Sequence, residues 1–490
     1  MGFIRKNAHV ILIIIGSIFL ALSVFHTNIW FDEAYSVSLV KHSFRDIWII
    51  GGNDVHPILY YWLLKIVGIF FNYSILSYRV FSLLSIIFLG IVGYTHIRKD
   101  FGVKTGFIFS FMVFFLPIMP FYANQIRMYS LAIFFTTLLC IYGYRIYNGN
   151  SSWKNIILFG ILSLLCIYTH YYSLMVAGII NLLLLIYLFK NKRKKDMYII
   201  IIMGLIQIIL YLPWLIYFIT QIKNVSHGFW IGFIFPKSLI ELTSFILLGN
   251  SIIKPFGIYQ YLVFGTTIII YVYISLRLMK MSRKEKKVPL IALRIYSVVI
   301  VAALIISIIM LSFILYYRYL FVITGLFIFV LSFILAKEKN KYIVTTICGL
   351  ILIFGVINNI NMIKDNYSSI NQEPFNYIES LITKDTNIVF ANIGPGFISN
   401  IVFNNNKHYF YNYEHWNIKE AYKAFSPNME IYEETSFLDK CSNQILIVDS
   451  NDKIYNMLFN NGDYIKLDEK SFDTPYYDYK YKIILVEKRT

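Results

Sequence analysis

The chain has 490 residues, 58% of them hydrophobic and 14% charged, and a formal net charge of +17. That balance excludes an ordinary soluble protein, and repeated apolar runs near the ~20 residues that cross a bilayer core indicate a polytopic membrane protein. The positive charge is accounted for without nucleic acid: it sits in short loops between apolar runs, where membrane orientation puts it.

The charge is uneven. Residues 364–490 hold 13 Lys/Arg against 18 Asp/Glu, and residues 1–363 hold 31 against 9. The cysteines are Cys140, Cys166, Cys348 and Cys441. Three lie in apolar runs and one stands alone, so no disulfide framework or zinc site is expected.

Residues 1–28 resemble a signal peptide, with Arg5 and Lys6 before an apolar run. The run is long and no small-residue cleavage site follows, which predicts a retained first span at 8–27. Ten further spans are predicted at 76–97, 105–121, 129–147, 155–169, 172–189, 197–214, 258–279, 290–316, 319–336 and 342–363.

The segment Pro57–Phe71 is apolar but short. The basic loops decide its fate: Arg5/Lys6, Arg98/Lys99/Lys104, 190–196, 280–287 and Lys337/Lys339/Lys341 all belong on the cytoplasmic side. Parity holds only if 57–71 does not cross. It is expected on the outer face, as an amphipathic or re-entrant helix with Lys65 near water. Eleven spans, a cytoplasmic N-terminus and an external C-terminal region follow. The semi-polar segment 215–257, containing NVSHGFW, is the weak point of this count, since it has room for an even pair of short insertions.

The first outer loop then concentrates carboxylates. Of nine acids in residues 1–363, Asp32, Glu33, Asp46, Asp54 and Glu241 are expected outside. Four of these lie in Ile29–Tyr61, together with His42 and His56. Acids at a membrane boundary either face water or serve a site. Asp32-Glu33 therefore reads as an interfacial acid pair or as a base held against the membrane. His56, before Pro57 and ILYYW, is a helix-start histidine or a phosphate or metal contact. Arg127 in NQIRMYS and Arg318 in YYRY stand where spans meet the outer surface. Each either snorkels to headgroups or grips phosphate oxygens with its planar fork. His170, in YTHYYS, is an interfacial polar residue or a ligand contact.

Residues 364–490 change character. Strand-length clusters at 387–392, 408–413, 444–450 and 481–487 alternate with helix-compatible pieces at 372–383, 417–425 and 452–460. This predicts a small α/β domain. GPG at 394–396 reads as a turn and not a phosphate loop. The predicted domains are 1–363, transmembrane, and 364–490, extracytoplasmic.

The ordered motifs carry a resemblance. An acid pair after the first span, HP(x)LYYW, a second span ending in a basic loop, Gln125-x-Arg-Met-Tyr, YTHYYS, Leu212–Trp214 and Arg-Tyr-Leu at Arg318 follow one another over roughly residues 1–335. Together they resemble the membrane glycosyltransferases of the GT-C fold, in particular the protein O-mannosyltransferase and aminoarabinose-transferase-like superfamily. The resemblance implies juxtamembrane helices in the first outer loop and transfer on the extracytoplasmic face of a bacterial cell membrane. It also implies a polyprenyl-phosphate-linked sugar as donor, a glycan, lipid or protein hydroxyl as acceptor, and membrane lipid around the chain. The catalytic acid of the family falls on Asp32 or Glu33. Donor phosphate or substrate contacts fall on His56, Tyr60, Arg127, Tyr129, His170, Arg318 and Tyr319.

Many relatives place an acid just before the Arg-x-Tyr of the second outer loop, where this chain has Gln125. Metal use varies in the superfamily, so no metal is carried over and a divalent ion stays open. Two other classes compete. A polyprenyl-lipid or glycolipid transporter would put charges near the midplane and show repeated halves; a binding module would work through its exported domain.

Overall fold

The computed structural model describes residues 2–226, 232–460 and 462–489, without the side chains of residues 2–6 and 226. The side chains of Arg5 and Lys6 and part of NVSHGFW thus lie outside the described residues. The chain divides into two compact units. One holds residues 1–25, 55–63 and 77–361; the other holds 26–54, 64–76 and 362–490.

The first unit is helical. Across the described residues of the whole chain, eight helices are long and apolar enough to cross a membrane: Ile75–Phe101, Tyr129–Tyr147, Tyr171–Lys190, Lys194–Val225, Ile258–Lys280, Arg283–Ile309, Tyr317–Lys337 and Lys341–Leu381. The bent pair Val103–Phe115 and Ile118–Asn124 makes a ninth if counted as one span. The first and fifth expected spans appear as shorter apolar helices, Asn7–Ala21 and Trp153–Thr169. Every expected span is therefore helical, and length and composition alone support eight or nine crossings.

The run expected at 290–316 ends early, because the Arg283–Ile309 helix stops before the extended stretch that leads into Tyr317. Leu59–Phe70 is a helix of 12 residues, about 18 Å long at 1.5 Å per residue and short of a ~30 Å core. Among its described residues, the semi-polar segment holds the end of the Lys194–Ser226 helix and a 12-residue helix, Lys237–Leu248.

Close helix crossings need small residues. A Cβ on Gly93 would lie 2.2 Å from Ser110 Oγ, and one on Gly106 would lie 2.4 Å from the Gly93 carbonyl. These two glycines let Ile75–Phe101 and Val103–Phe115 touch backbone to backbone. The acids among the basic loops are taken up by structure. Asp100 pairs with Arg145 at 2.8 Å, Glu338 with Arg277 at 3.0 Å, and Asp196 with Arg193. Glu285 caps its own helix through Ser282.

The second unit is built on a six-stranded sheet in the order β3-β2-β1-β4-β6-β5. The strands are β1 (Asn387–Phe390), β2 (His408–Tyr411), β3 (Met429–Tyr432), β4 (Gln444–Asp449), β5 (Tyr464–Thr474) and β6 (Tyr479–Lys488). The first four are parallel, and β6 runs antiparallel to both β4 and β5. Side chains alternate between two cores: Val389, Ile445 and Ile447 on one face, Ile388, Leu446 and Val448 on the other. β1 and β4 are therefore apolar on both faces, as central strands of a covered parallel sheet must be. β3 and β5 were not legible as strands, since each is a polar or half-exposed edge. The Gly-Pro-Gly turn opens a helix, Pro395–Val402, with Gly394 at φ +133°, a value that suits only glycine.

Three short helices belong to the first predicted outer loop: Phe31–Leu39, Phe44–Gly52 and Leu59–Phe70. Phe31 packs against Phe397 at 5.1 Å and Tyr422 at 5.8 Å, and Tyr35 faces Phe425. The acid-bearing helix thus packs on the helices of the sheet unit. Lys65 departs from expectation. It is buried, its Nζ donating to the Val40 carbonyl at 3.4 Å between the rings of Phe44 and Tyr73. A helix too short to span can still turn a lysine inward where a helix C-terminus offers carbonyls.

Candidate functional site

In the helical unit, the break at Leu116-Pro117 turns Ile118–Asn124 through 62° from Val103–Phe115. Pro117 has no N–H to continue the helix. The following link, Gln125–Met128, is buried and leads into Tyr129–Tyr147. It carries Arg127, only 4% exposed, whose Nη1 donates to Tyr61 Oη at 3.2 Å. Tyr61 lies against Tyr60 at 5.8 Å. Both come from the start of Leu59–Phe70, so the LYYW motif supports the arginine.

His170 separates the helices Trp153–Thr169 and Tyr171–Lys190 in an extended conformation (φ −159°, ψ 142°). Its Nδ1 accepts the Tyr172 N–H at 3.1 Å, an N-cap of the second helix. The ring proton is therefore on Nε2, which is buried and has no partner among the described residues. Burial, and then the charge of Arg127, push the His170 pKa down to about 3. At neutral pH the ring is an uncharged donor with nothing to donate to, a costly arrangement in a folded interior.

The other histidine is beside it. His56 and His170 stand 5.7 Å apart between ring centroids. His170 also faces Tyr129 at 5.6 Å, Tyr172 at 5.9 Å and Tyr319 at 5.4 Å. Burial holds the His56 pKa well below its usual value, and the charges of Arg127 and Arg318 add to the effect. Arg318 is nearly buried and lies over the Tyr316 ring at 5.5 Å. Four separate stretches of sequence thus bring His56, Tyr60, Arg127, Tyr129, His170, Arg318 and Tyr319 into one neighbourhood.

A cavity of about 190 Å³ opens here. His56, His170 and Tyr319 line its polar part, and Phe218, Ile306 and Ile314 are among its apolar walls. Trp214 of the Leu-Pro-Trp motif is fully buried and donates to Tyr171 Oη at 3.2 Å, and Tyr171 in turn donates to Gln221. That motif orders the cavity wall.

Arg79 was not singled out from sequence. It is fully buried within Ile75–Phe101, and its Nη1 donates to the Asn124 carbonyl. It pins the end of Ile118–Asn124, three residues before Arg127. The signal was present: a lone arginine well inside an apolar span is a candidate position by its cost alone.

The acid pair belongs to the sheet unit, and the structure separates its members. Glu33 is fully buried, accepting the Trp30 N–H at 3.3 Å and the Tyr476 hydroxyl at 3.0 Å. Asp32, in the same first turn, is only half-buried. The hairpin between β5 and β6 grips this helix start. Tyr477 stacks on Trp30 at 4.6 Å and 8°, and Tyr479 Oη accepts the Phe31 N–H at 3.1 Å. Tyr477 and Asp478 both have positive φ, which non-glycine residues hold only against strain. Nothing near Asp32-Glu33 in the sequence points to Tyr476, which is 443 residues away. Among the described residues no three His, Cys, Asp or Glu side chains group as metal ligands.

The helical part and its appended α/β sheet define a multi-pass membrane protein of the GT-C fold. Its likeness is to the crystal structure of ArnT from Cupriavidus metallidurans bound to undecaprenyl phosphate, with a TM-score of 0.60, 9% identity and 98% of both chains covered. The same protein in its apo state matches with a TM-score of 0.50, 10% identity and 98% coverage of both chains. At these identities the likeness is one of fold. No protein-family model matches the chain, and no curated protein matches its sequence.

Proposed function

We propose that the chain is a glycosyltransferase that moves a hexosyl or pentosyl unit from a polyprenyl-phosphate donor to an acceptor hydroxyl on the extracytoplasmic face. The observation that carries this reading is the buried, unpartnered Nε2–H of His170, beside a second neutral histidine and near Arg127, at the polar end of an apolar-walled cavity. Such a group suits a phosphate whose lipid tail lies along apolar walls. The undecaprenyl phosphate bound to ArnT, which shares the fold, supports the same ligand class. In this reading residues 1–363 are the transmembrane catalytic part with a cytoplasmic N-terminus, and 364–490 an extracytoplasmic domain.

The acceptor oxygen forms a bond to the anomeric carbon as the bond from that carbon to the phosphate oxygen breaks, with inversion. The acceptor proton goes to Asp32, and the phosphate leaves with the electron pair. The donor phosphodiester thereby becomes a monoester and gains negative charge. Arg127 and Arg318 meet that charge, with His56 and the His170 Nε2–H as neutral donors. Glu33 orients the first turn that carries Asp32. Tyr60, Tyr129 and Tyr319 line the substrate.

The test is transfer of label from radiolabelled undecaprenyl-phosphate hexoses and pentoses in membranes holding the parent chain or Asp32→Asn. Near-normal transfer by a normally expressed variant would remove Asp32 as the base. Failure of every donor with the parent chain would sink the reading.

A further inference from the structure

A second cavity, of about 180 Å³, lies wholly within the sheet unit. Its lining is more polar than that of the first cavity, although Ile401, Ala424, Phe425 and Pro427 contribute apolar walls. Ser38 comes from the Phe31–Leu39 helix and Lys41 from the turn after it. Asn400 comes from Pro395–Val402, Asn404 from the turn beyond that helix, and Ser426 and Asn428 from the segment before β3. Ser38 and Asn400 form a buried floor, exposed by 5% and 4%. Asn400 Nδ2 is buried without a partner among the described residues. The wall is held from both sides: His42 Nε2 donates to the Ala424 carbonyl at 2.9 Å. Lys41 and Asn404 are exposed at the rim. Among the described residues no carboxylate lines the cavity, and Lys41 is the one full-time cation in its lining.

We propose that this cavity is an acceptor subsite that binds a sugar unit bearing an anionic group, phosphate or carboxylate. The inference rests on the glycosyltransferase reading above and names what that transferase would act on. Side-chain amides and hydroxyls in this number match vicinal sugar hydroxyls, each donating and accepting in turn. An orphaned buried amide is costly until a ligand satisfies it. The ammonium of Lys41, with no acid beside it in the lining, selects for an anionic substituent. Ser38 lies six residues beyond Asp32 in one helix, about 9 Å along its axis at 1.5 Å per residue. A sugar held against Ser38 and Asn400 would leave its neighbour in the same glycan near Asp32. The cavity thus takes a unit of the acceptor that is bound but not modified.

The test is saturation-transfer NMR on the purified full-length protein in nanodiscs, without polyprenyl donor. The probes are glucose 1-phosphate, glucuronate and glucose. We expect transfer to the two anionic probes and a signal for glucose at least about threefold weaker, with Lys41→Ala and Asn400→Leu each lowering the anionic signals by about fivefold, as loss of one charged or buried contact predicts. Asp32→Asn should retain full binding, so failure of the transfer chemistry and failure of this site are separable. No signal from any probe, or unchanged signals in Lys41→Ala, overturns the site. Glucose binding as well as the two anions overturns the charge assignment. Lys41 is at the exposed rim, so its variant stays informative if Asn400→Leu does not fold.

Discussion

Around His170 and around Glu33 the protein buries polar side chains by opposite means. His56 and His170 are kept uncharged by burial and by nearby arginines, and one of them keeps a free N–H donor. Glu33 is as deeply buried, but a backbone N–H and the Tyr476 hydroxyl are brought to it. The first arrangement leaves hydrogen-bonding capacity unspent, as a binding site does. The second spends it within the fold, as a support does. The comparison divides the acid pair by surroundings as well: Glu33 is fully buried at the helix start, and Asp32 is half-buried.

The largest expected effect that tests this division is Asp32→Asn, which should lower kcat by roughly 10³-fold with little change in thermal midpoint, within the range for losing a general base. Glu33→Gln should do the reverse. The loss in midpoint should exceed the loss in rate, since the residue supports the helix start. Equal kcat losses for the two variants would break the comparison. Arg127→Ala should cost on the order of 10²-fold in kcat/KM, comparable to removing one preorganised donor at a developing charge. Arg127→Lys should recover only part of it, because the planar fork is lost. Steady-state assays across donor concentration check both.

Tyr476→Phe removes one donor to Glu33 and should destabilise by about 1–2 kcal/mol, the range for stranding a buried acceptor. Its kcat should fall while KM for donor holds, because the hairpin would act through the position of Asp32. An unchanged kcat would reduce the hairpin to a purely structural part.

A smaller effect is expected from pH. The folded chain protonates His170 only near pH 3, whereas an unfolded chain does so near 6.5. Stability from this group is full above about pH 6.5 and falls as pH drops from there toward 3, because only the unfolded state takes up the proton. His170→Asn should therefore flatten the thermal midpoint between pH 7.5 and 5.0 relative to the parent. The smallest effect is expected at Ser43, which caps Phe44–Gly52 by accepting the Asp46 N–H at 3.1 Å. Ser43→Ala should cost about 1 kcal/mol, the usual value for a lost N-cap, and leave transfer intact.

Much of this could be read from the chain itself. Apolar runs and the spacing of lysines and arginines gave the helices and their order, because hydrophobicity and charge bias are local, additive signals. The parity of the basic loops argued against a span at 57–71, and the helix there, Leu59–Phe70, is 12 residues long. The β1, β2, β4 and β6 strands were legible because apolar residues cluster there. The edges β3 and β5 were not, because an edge strand needs few apolar residues. The motif residues His56, Arg127, Tyr129, His170, Arg318 and Tyr319 were found by type and order. Arg79 was missed although a charge inside a span is itself a signal, and Lys65 was turned outward when a carbonyl and two rings hold it inward.

The sequence by itself determined a helical membrane protein with an α/β appendage, and where its polar chemistry is concentrated. It could not choose between Asp32 and Glu33, because adjacent residues share every local signal. The tertiary structure does give the two different surroundings, with the Tyr476 hydroxyl brought to Glu33 by a hairpin that folds back over more than 400 residues. Nor could it find the polar cavity between Ser38 and Asn400. Burial, orphaned donors and cavities are properties of which surfaces meet, and only the tertiary structure decides that.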